Sequence, residues 1–553
     1  MAMGTMGRVA GCALASLQVF ACYAPSAYDD FLTAADDYTT SSTSGGEGSE
    51  STLLTSTVSG VGSSGSSGED ATTGGGTGSG GDDTGAQVDM PPEIVKVTIN
   101  GAEGPAAIDV ASQIDFAATA IDDHEVASVE FMVDGVSIGV DSEAPFTASM
   151  LVYSDTWNGD HKVTVIARDG ADQSDTEERE LAIMLPVSGS VKWDWSDQTY
   201  SGGALDVAVG PDGSVYVAGL RRHGLDPNLT RVDVRKFSAD LGGELWARTY
   251  PSKDAPKGAN IGYGVGVDVN GNVLVVGDVD LDGSSTRSVL LTYTADGGEV
   301  GPKLGQLGDH ARDIAVGPGG AFVIAGFREK QISSDAMFWG YTAIGEPDWT
   351  VKFHPEWTTK NIANGVVIGA DGKMFAGGVM TDANDVEYGF VLQVKEGSHG
   401  WYRSTSMVDS LDDVGHDVAL DRDGNVVLVG QRKKKGDELW MVRVDAVTGD
   451  MLGSFDDPSL RCGSIGCGIA SDGAGNLLIA GAVSNLNTGV DTAVKKIDDT
   501  WVATYWQSLS AGFDKSGEDR SVAVATGPFG AVYAAGYQTR LGAPHLWLTR
   551  LNP

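Results

Sequence analysis

The chain has 553 residues and carries 76 aspartates and glutamates against 37 lysines and arginines, a formal net charge of −39 at pH 7. Binding to the phosphate backbone of nucleic acids requires clustered lysine and arginine side chains, so this charge balance argues against nucleic acid as a partner. Part of the acidic excess lies in an N-terminal segment that it keeps solvated.

The N-terminus predicts export. Arg8 precedes an apolar run at residues 9–21, and about 13 residues suit a signal-peptide core but are too few to span a membrane. Val19, Ala21 and Cys22 are similar to a bacterial lipobox, and this resemblance implies cleavage after residues 1–21 and a lipid on Cys22. The alternative is an ordinary secretory signal. We therefore expect the outer membrane or cell surface, reached through a lipid anchor, and otherwise secretion.

Residues 22–90 are expected to form a disordered stalk. Between positions 23 and 90 the chain has no lysine or arginine and is dominated by serine, threonine, glycine and acidic residues. Such a segment cannot bury enough apolar surface to offset the entropy lost on ordering. A flexible coil of this length would have a root-mean-square reach of about 40–50 Å.

Residues 91–186 read as a second, smaller all-β unit. Several period-2 apolar runs are separated by turn residues, and Asp134-Gly135 marks a hairpin. The phrase at residues 129–135, followed by those at 144–146 and 159–161, resembles the bacterial Ig-like domains of exported proteins. The resemblance implies a β-sandwich that acts as a spacer. This sandwich has no cysteine pair, so it must be stabilised by its core alone.

Seven copies of one phrase occupy the last two-thirds of the chain. Each copy has a glycine, an apolar-rich run and a second glycine six positions later, and successive second glycines are 49 to 58 residues apart. A repeat of about 40–60 residues with strand-like content is typical of a β-propeller. The glycine pairs are Gly213/Gly219, Gly271/Gly277, Gly320/Gly326, Gly372/Gly378, Gly424/Gly430, Gly475/Gly481 and Gly530/Gly536.

Each repeat reads as four short antiparallel strands, which form one propeller blade. The last repeat ends with its third strand at residues 546–553, and residues 190–200 supply a matching fourth strand from before the first repeat. A blade built from both ends of the chain would remove two exposed edges and close the ring. We predict an all-β, monomeric protein in which a seven-bladed β-propeller over 187–553 follows the sandwich and the stalk.

The repeat also resembles a known family. The phrase at residues 206–219 looks like the SBBP-type repeat of seven-bladed β-propeller proteins, and related repeat proteins of delta-proteobacteria, including myxobacteria, carry a similar phrase. The resemblance implies the fold but no activity, because that family has no shared catalytic residues. A single stretch at residues 444–450 is similar to a quinoprotein repeat, but it occurs once, so a quinone cofactor is not expected.

Basic side chains are predicted to gather on one face of the ring. The loops after the second strand of alternate blades are basic, and the connections that enter the innermost strands share that face. We predict a funnel at the channel mouth that binds an anionic glycan, a small molecule or a protein. The alternative is solvated loop charges balanced by nearby acids. The candidate ligand-binding residues are Arg221, Arg432, His310, Arg312, His416 and Arg520. Tyr263, Asn364 and Cys467 are expected to ring the same mouth as Arg312, His416 and Arg520, one position before each innermost strand.

A calcium site is a further candidate. Asp278, Asp280 and Asp282 stand at alternating positions before Gly283, as in the first half of a calcium loop. Val289 stands where an EF-hand requires glutamate, so the alternative is an acidic hairpin loop that binds no metal. No other cofactor is expected.

Cys462 and Cys467 are the second candidate pair. In an oxidising, exported setting this spacing predicts a local disulfide beside the channel mouth, and zinc binding is the alternative.

Two function classes remain open. Motifs for a serine nucleophile elbow, a zinc protease helix or a phosphate loop are absent from the sequence. We therefore expect a non-enzymatic, surface-displayed binding, adhesion or scaffold lipoprotein. The alternative is an exported propeller enzyme acting on a polysaccharide or an ester. His416 and Arg312 within hydrogen-bond reach of an acid would favour the enzyme.

Overall fold

The computed structural model describes residues 89–553 except 225, 254, 406–411, 434–435, 464–465, 486–488, 499, 501–502 and 510–516. The predicted signal peptide, Cys22 and all but the last two residues of the predicted stalk lie outside the described residues. The described part consists of β-strands and short 3-10 turns, which confirms the all-β prediction. Among these residues there is no helix long and apolar enough to cross a membrane.

The first unit is a two-sheet sandwich, as predicted. One sheet has the order β1-β3-β6 and the other β2-β8-β7-β4-β5, and apolar side chains from both sheets form a single core. Asp134 and Gly135 both have positive φ, as a tight hairpin turn requires. The strands are β1 (Glu93–Ile99), β2 (Ala106–Ile108), β3 (Ser112–Ile121), β4 (Val126–Val133), β5 (Val136–Asp141), β6 (Phe146–Val152), β7 (Gly159–Asp169) and β8 (Ser174–Ile183).

The second unit contains seven sets of four strands in the order that the repeats predict. Blades 1 to 6 follow one another along the chain, and one backbone pairing, Arg461 with Ala482, joins blades 5 and 6 into a single sheet. The strands of blades 1 to 3 are β10 (Gly202–Val209), β11 (Val215–His223), β12 (Asp226–Phe237), β13 (Glu244–Tyr250), β14 (Asn260–Val267), β15 (Val273–Asp280), β16 (Thr286–Tyr293), β17 (Glu299–Leu307), β18 (Asp309–Val316), β19 (Phe322–Glu329), β20 (Ser334–Tyr341) and β21 (Pro347–Phe353).

Blades 4 to 6 repeat this arrangement, although the innermost strand of blade 6 has only three residues. Their strands are β22 (Thr358–Ile368), β23 (Met374–Asp382), β24 (Glu387–Lys395), β25 (Ser398–Ser404), β26 (Asp413–Leu420), β27 (Val426–Arg432), β28 (Glu438–Val444), β29 (Met451–Arg461), β30 (Ile469–Ser471), β31 (Leu477–Asn485), β32 (Gly489–Ile497) and β33 (Ala503–Leu509).

Blade 7 is built from both ends of the unit. Its order is β34 (Arg520–Thr526), β35 (Val532–Arg540), β36 (Ala543–Leu551) and β9 (Val191–Ser196), so the predicted strand from before the first repeat occupies the predicted place. Leu548 pairs with Trp195, and the Trp547 indole N–H donates to the Asp194 carboxylate. The innermost strands contact one another in chain order, and β34 in turn contacts β10.

The two glycines of each repeat are required for different physical reasons. Gly213 has φ +76°, a turn conformation that other residues adopt with strain. Gly219 lies in the second strand, where a Cβ atom would stand 2.0 Å from the Gly203 carbonyl oxygen of the innermost strand. The apolar run between the glycines is buried on both faces because the neighbouring blades cover it, as at residues 215–218.

We predict that the shared blade is the main closure of the ring. A chain that starts at residue 202 lacks β9 and should expose the edge of β36, so it should melt well below a chain that starts at residue 187 and with a broader transition. Differential scanning calorimetry of the two proteins measures this difference. Equal melting temperatures and equal cooperativity would show that β9 is dispensable.

Candidate functional site

The innermost strands start, and the second strands end, at one face of the ring, which we call the top face. The opposite, bottom face carries the turn between these two strands. In blade 7 this turn packs against the sandwich, because Gly530 approaches Tyr153, and Phe529 lines a shared cavity with Val110 and Tyr153. The connection is also held by Ser188, which donates to Asp155. The sandwich therefore contacts the bottom face and leaves the top face on the far side.

The rim arginines of the top face are held by buried carboxylates. Arg221 contacts Asp233 at 2.9 Å, and Arg432 contacts Asp413 at 3.3 Å and Asp456 at 2.6 Å. Asp233 and Asp413 are almost fully buried. Arg221 and Arg432 are therefore not the free charges that the predicted basic funnel requires, and the alternative of charges balanced by nearby acids describes them.

A charged cluster joins blades 2 and 3 at the mouth. Asp278 at the end of β15 accepts from His310 Nδ1 at 2.8 Å and from Arg312 at 2.9 Å, both on β18. His310 stacks on Phe327 with ring centroids 4.4 Å apart, and Arg312 lies over the Tyr263 ring at 4.1 Å. The sequence analysis named both basic residues but did not identify Asp278 as their partner.

Burial and charge act in opposite directions in this cluster. Burial favours a neutral imidazole, but the Asp278 carboxylate raises the pKa of His310 to about 9. Burial likewise opposes ionisation of Asp278, while His310 and Arg312 hold its pKa below the usual range. The cluster is therefore an ionised, inter-blade bridge at pH 7.

The predicted calcium triplet does not converge. Asp278 is engaged with His310 and Arg312, whereas Asp280 accepts the backbone N–H of Gly283 at 2.7 Å. Asp282 accepts from the hydroxyls of Ser284 and Ser285, and the Ser284 bonds lower its pKa to about 2. The three carboxylates therefore do not form one set of ligands in this structure.

Elsewhere, the described residues contain one set of three or more potential metal ligands within 4.8 Å of one another, in the sandwich. It comprises Asp89, Asp122, Asp123 and His124, and the imidazole lies 3.0 Å from the Asp89 carboxylate.

Four of the mouth residues occupy bulges inside the innermost strands, not positions before them, whereas Cys467 lies before β30. The register shifts around Tyr263, Arg312, Asn364 and His416. In blade 7 the shift falls around Val522, so Arg520 is two residues away from the equivalent position. Arg520 instead begins β34 and contacts Glu518 at 3.3 Å. The sequence placed these residues on one face but missed the bulge, because bulge formation depends on pairing with the second strand.

The predicted disulfide between Cys462 and Cys467 is present and covers part of the mouth. Gly466 of this loop lies against the His416 ring, and Gly463 lies against Arg520. Burial lowers the pKa of His416 to about 4, so its imidazole is neutral at pH 7. Within the described residues, His416 forms no ion pair with a carboxylate. His416 and Arg520 thus lie against the described glycines of the disulfide loop and are only partly exposed.

Three carboxylates that the sequence analysis missed line the inner ring. Asp206, Asp313 and Asp417 follow the bulge in blades 1, 3 and 5, at intervals of 107 and 104 residues, which is two blades. The equivalent residues in blades 2, 4 and 6 are Gly264, Gly365 and Gly468. A search for a two-blade period would have found this alternation, whereas the one-blade period conceals it.

Comparison with known proteins identifies the sandwich. Residues 96–165 match the family described as Bacterial Ig domain, so the predicted Ig-like unit is a bacterial Ig domain. No curated protein matches the chain.

The solved structures that resemble this chain include several from bacteria. A protein of unknown function from Dyadobacter fermentans is 13% identical, with TM-score 0.41, over 66% of this chain and 98% of that one. The polysaccharide lyase Uly1 is 12% identical, with TM-score 0.40, over 63% and 90%. The quinohemoprotein alcohol dehydrogenase ADHIIG from Pseudomonas putida HK5 is 11% identical, with TM-score 0.39, over 66% and 76%.

We predict that Asp278→Asn lowers the pKa of His310 from about 9 toward its ordinary value near 6.5. His310 contributes stability that is complete below pH 6.5 and is lost as pH rises through about 9, so the variant should lose this pH dependence. Removing one partner of a buried ion pair should also cost about 3–5 kcal/mol. Imidazole NMR titration is practical with eight histidines, and Asp282→Asn in the exposed loop is the matched control. A pKa near 6.5 in the wild-type protein would contradict the bridge.

Proposed function

We propose that this protein is exported, is anchored to the bacterial surface through Cys22, and acts as a non-enzymatic binding or adhesion module through the top face of its ring. The observation that carries the proposal is the position of the sandwich. Because the sandwich packs on the bottom face, an anchor attached to the sandwich would lie on the bottom side of the ring. A ligand could then approach the top face without meeting the anchor. We also propose that the repeats of the ring are of the SBBP type and that the protein comes from a delta-proteobacterium.

Exposed aromatic side chains supply the contact surface. Tyr200, between β9 and β10, is 48% exposed and lies under the Arg221 guanidinium at 4.3 Å. Trp357, between β21 and β22, is 44% exposed and packs edge-on against Tyr388. Aromatic faces bind the apolar faces of sugars and the alkyl parts of protein side chains, and a neighbouring arginine adds affinity for acidic groups. We therefore propose a glycan, in particular an acidic one, as the first ligand class, and a small molecule or protein as the next.

The geometry of the mouth favours binding over catalysis. Each Asp278 oxygen already accepts hydrogen bonds from its neighbours, since Oδ1 accepts from Ala311 N–H and Oδ2 from His310 and Arg312. A carboxylate engaged in this way cannot act as a general base without breaking the bridge. His416, the other imidazole of the mouth, is covered by the disulfide loop. We accordingly propose no catalytic role.

A glycan array with the full chain tests the ligand class. Tyr200→Ala and Trp357→Ala should each weaken binding to the best ligand about tenfold, because an aromatic contact at the centre of an interface contributes on the order of 1–2 kcal/mol. Ile344→Ala is the control, since Ile344 is 85% exposed in a turn of the bottom face. Equal binding by all three variants would place the ligand away from the top face.

Anchoring has a separate test. Replacing Cys22 with serine should move the protein from the membrane fraction to the soluble or secreted fraction, because the thioether to the lipid can no longer form. Metabolic labelling with a palmitate analogue and fractionation by ultracentrifugation measure both effects. If the wild-type protein takes up no label and fractionates like the variant, the ordinary secretory signal is the correct alternative.

A further inference from the structure

The segment between β6 and β7 carries the sandwich side of the junction with the ring. This junction loop, residues 153–158, contains a short 3-10 turn. Asp155 accepts hydrogen bonds from the backbone N–H and the hydroxyl of Ser188, at 3.2 and 2.8 Å. The Asn158 side chain donates to the Leu185 carbonyl oxygen at 2.9 Å and accepts the Leu185 N–H at 2.6 Å. The junction loop therefore holds the connection that leads from the sandwich to β9.

His161, on β7, binds the junction loop and a hairpin turn through the two nitrogens of its imidazole. Nδ1 lies 2.7 Å from Asp134 Oδ2, and Nε2 lies 2.7 Å from the Trp157 carbonyl oxygen in the junction loop. The Trp157 ring packs on the imidazole, with ring centroids 5.9 Å apart. Only 13% of the histidine side chain is exposed. The imidazole thus connects the loop to the body of the sandwich.

Both partners of the imidazole are hydrogen-bond acceptors. A carboxylate and a backbone carbonyl have lone pairs and no hydrogen to donate, so each contact requires an N–H on the ring. Neutral imidazole has one N–H, whereas imidazolium has two. The observed geometry therefore corresponds to imidazolium. Burial opposes this charge, but the bonds to Asp134 and Trp157 outweigh burial and raise the pKa of His161 above its ordinary value.

The charged groups around His161 support its protonated state. Asp134, on the turn between β4 and β5, accepts the Lys162 N–H at 2.9 Å, and this bond helps to hold the pKa of Asp134 below its usual range. Asp160 adds a second negative charge from β7 itself. On β8 the residue opposite His161 is Leu181, and its neighbour Glu180 is exposed to solvent. Two further charged neighbours are bound elsewhere, Lys162 to Glu178 and Asp155 to Ser188.

Loss of the proton would affect one of the two bonds more than the other. The Asp134 carboxylate should keep the remaining hydrogen on Nδ1, because a charge-assisted hydrogen bond is stronger than one to a neutral carbonyl. Nε2 would then present a lone pair to the lone pairs of the Trp157 carbonyl oxygen, and the two atoms would repel each other. The bond that is lost is therefore the one to the junction loop, while the bond to the hairpin turn remains.

We propose that His161 is a pH-dependent latch of the junction between sandwich and ring, which holds the junction loop when the imidazole is protonated and releases it when the proton is lost. The folded protein binds this proton more tightly than the unfolded chain does. The contribution of the latch to stability is therefore complete below pH about 6.5 and is lost as pH rises through the higher pKa of the folded state. Tyr153 of the same loop lies against Gly530 in the ring, so release would loosen the orientation of the ring relative to the sandwich.

Hydrogen exchange of the full chain, corrected for the intrinsic effect of pH, tests the latch. The amides of Leu185 and Ser188 report on it, because they donate to the junction loop. Their protection should fall about tenfold between about pH 5.5 and about pH 9, the order expected for the loss of one charge-assisted hydrogen bond. Protection of Val165, in the sandwich core, should change little. Constant protection of Leu185 and Ser188 over this range would overturn the proposal.

Two variants should change this pH dependence in different ways. Asp134→Asn suits the positive φ of this position, +50°, and its new amide N–H can donate to Nδ1 of neutral imidazole. Nε2 then keeps its hydrogen for Trp157, so the junction amides should stay protected at high pH. His161→Phe keeps an aromatic ring beside Trp157 but has no N–H, so protection should be about tenfold lower at low pH and should no longer depend on pH.

The control for these variants is His124→Phe, the same substitution at a histidine of the sandwich whose side chain is 62% exposed. This control should follow the wild-type protein at every pH. If Asp134→Asn loses protection with pH as the wild-type protein does, the proposal is wrong. The measurement on the wild-type protein stands even if a variant fails to fold, and no part of the test depends on the proposed ligand or anchor.

Discussion

The bulge in the innermost strand is the constraint on which most of this structure depends. In blade 3 the register shifts between Ala311 and Asp313, and the His310 carbonyl oxygen lies where a Cβ atom of Gly326 would stand. The second glycine of the repeat is therefore a requirement of the bulge. The bulge supplies the mouth residue, and the position after it is aspartate in blades 1, 3 and 5. One local distortion thus explains the conserved spacing within the repeat, the composition of the mouth and the position of the carboxylates.

At the top face, arginine side chains are paired with buried carboxylates. Arg221, Arg312 and Arg432 all reach the top face, and each is bound to at least one buried aspartate. Desolvating such a pair costs free energy, which the short contacts and additional hydrogen bonds offset. The carboxylates of Asp206, Asp313 and Asp417 are the exception, because their hydrogen-bond donors among the described residues are backbone N–H groups. The difference explains why the pKa of Asp278 falls while that of Asp417 rises.

The arrangement of the sandwich and the ring is the reason why the top face is the candidate binding surface. Blade 7 contains both β9, which follows the sandwich, and the turn on which the sandwich rests. The contact between sandwich and ring is therefore made at the same blade that joins the two ends of the repeat array. This arrangement leaves the aromatic side chains of the top face, Tyr200 and Trp357, on the side away from the sandwich.

The sequence by itself determined the all-β class, the bacterial Ig domain, the four-stranded repeats, the strand shared between the two ends and the disulfide. Apart from the shared strand, these features are local, since each depends on a hairpin turn, a strand period or a spacing of a few residues. The shared strand follows from the repeat count, because the last repeat ends at its third strand. Only the tertiary structure determined which charged side chains form ion pairs. Asp278 has the spacing of a calcium ligand, but His310 and Arg312, more than 30 residues later, come from the adjacent blade and bind it. Arg312 occupies the bulge of its blade, whereas Arg520 stands two positions before the bulge of blade 7. The position of the bulge depends on pairing with the second strand. Partners across a blade interface are set by how strands pack, and no local pattern in the chain encodes that packing.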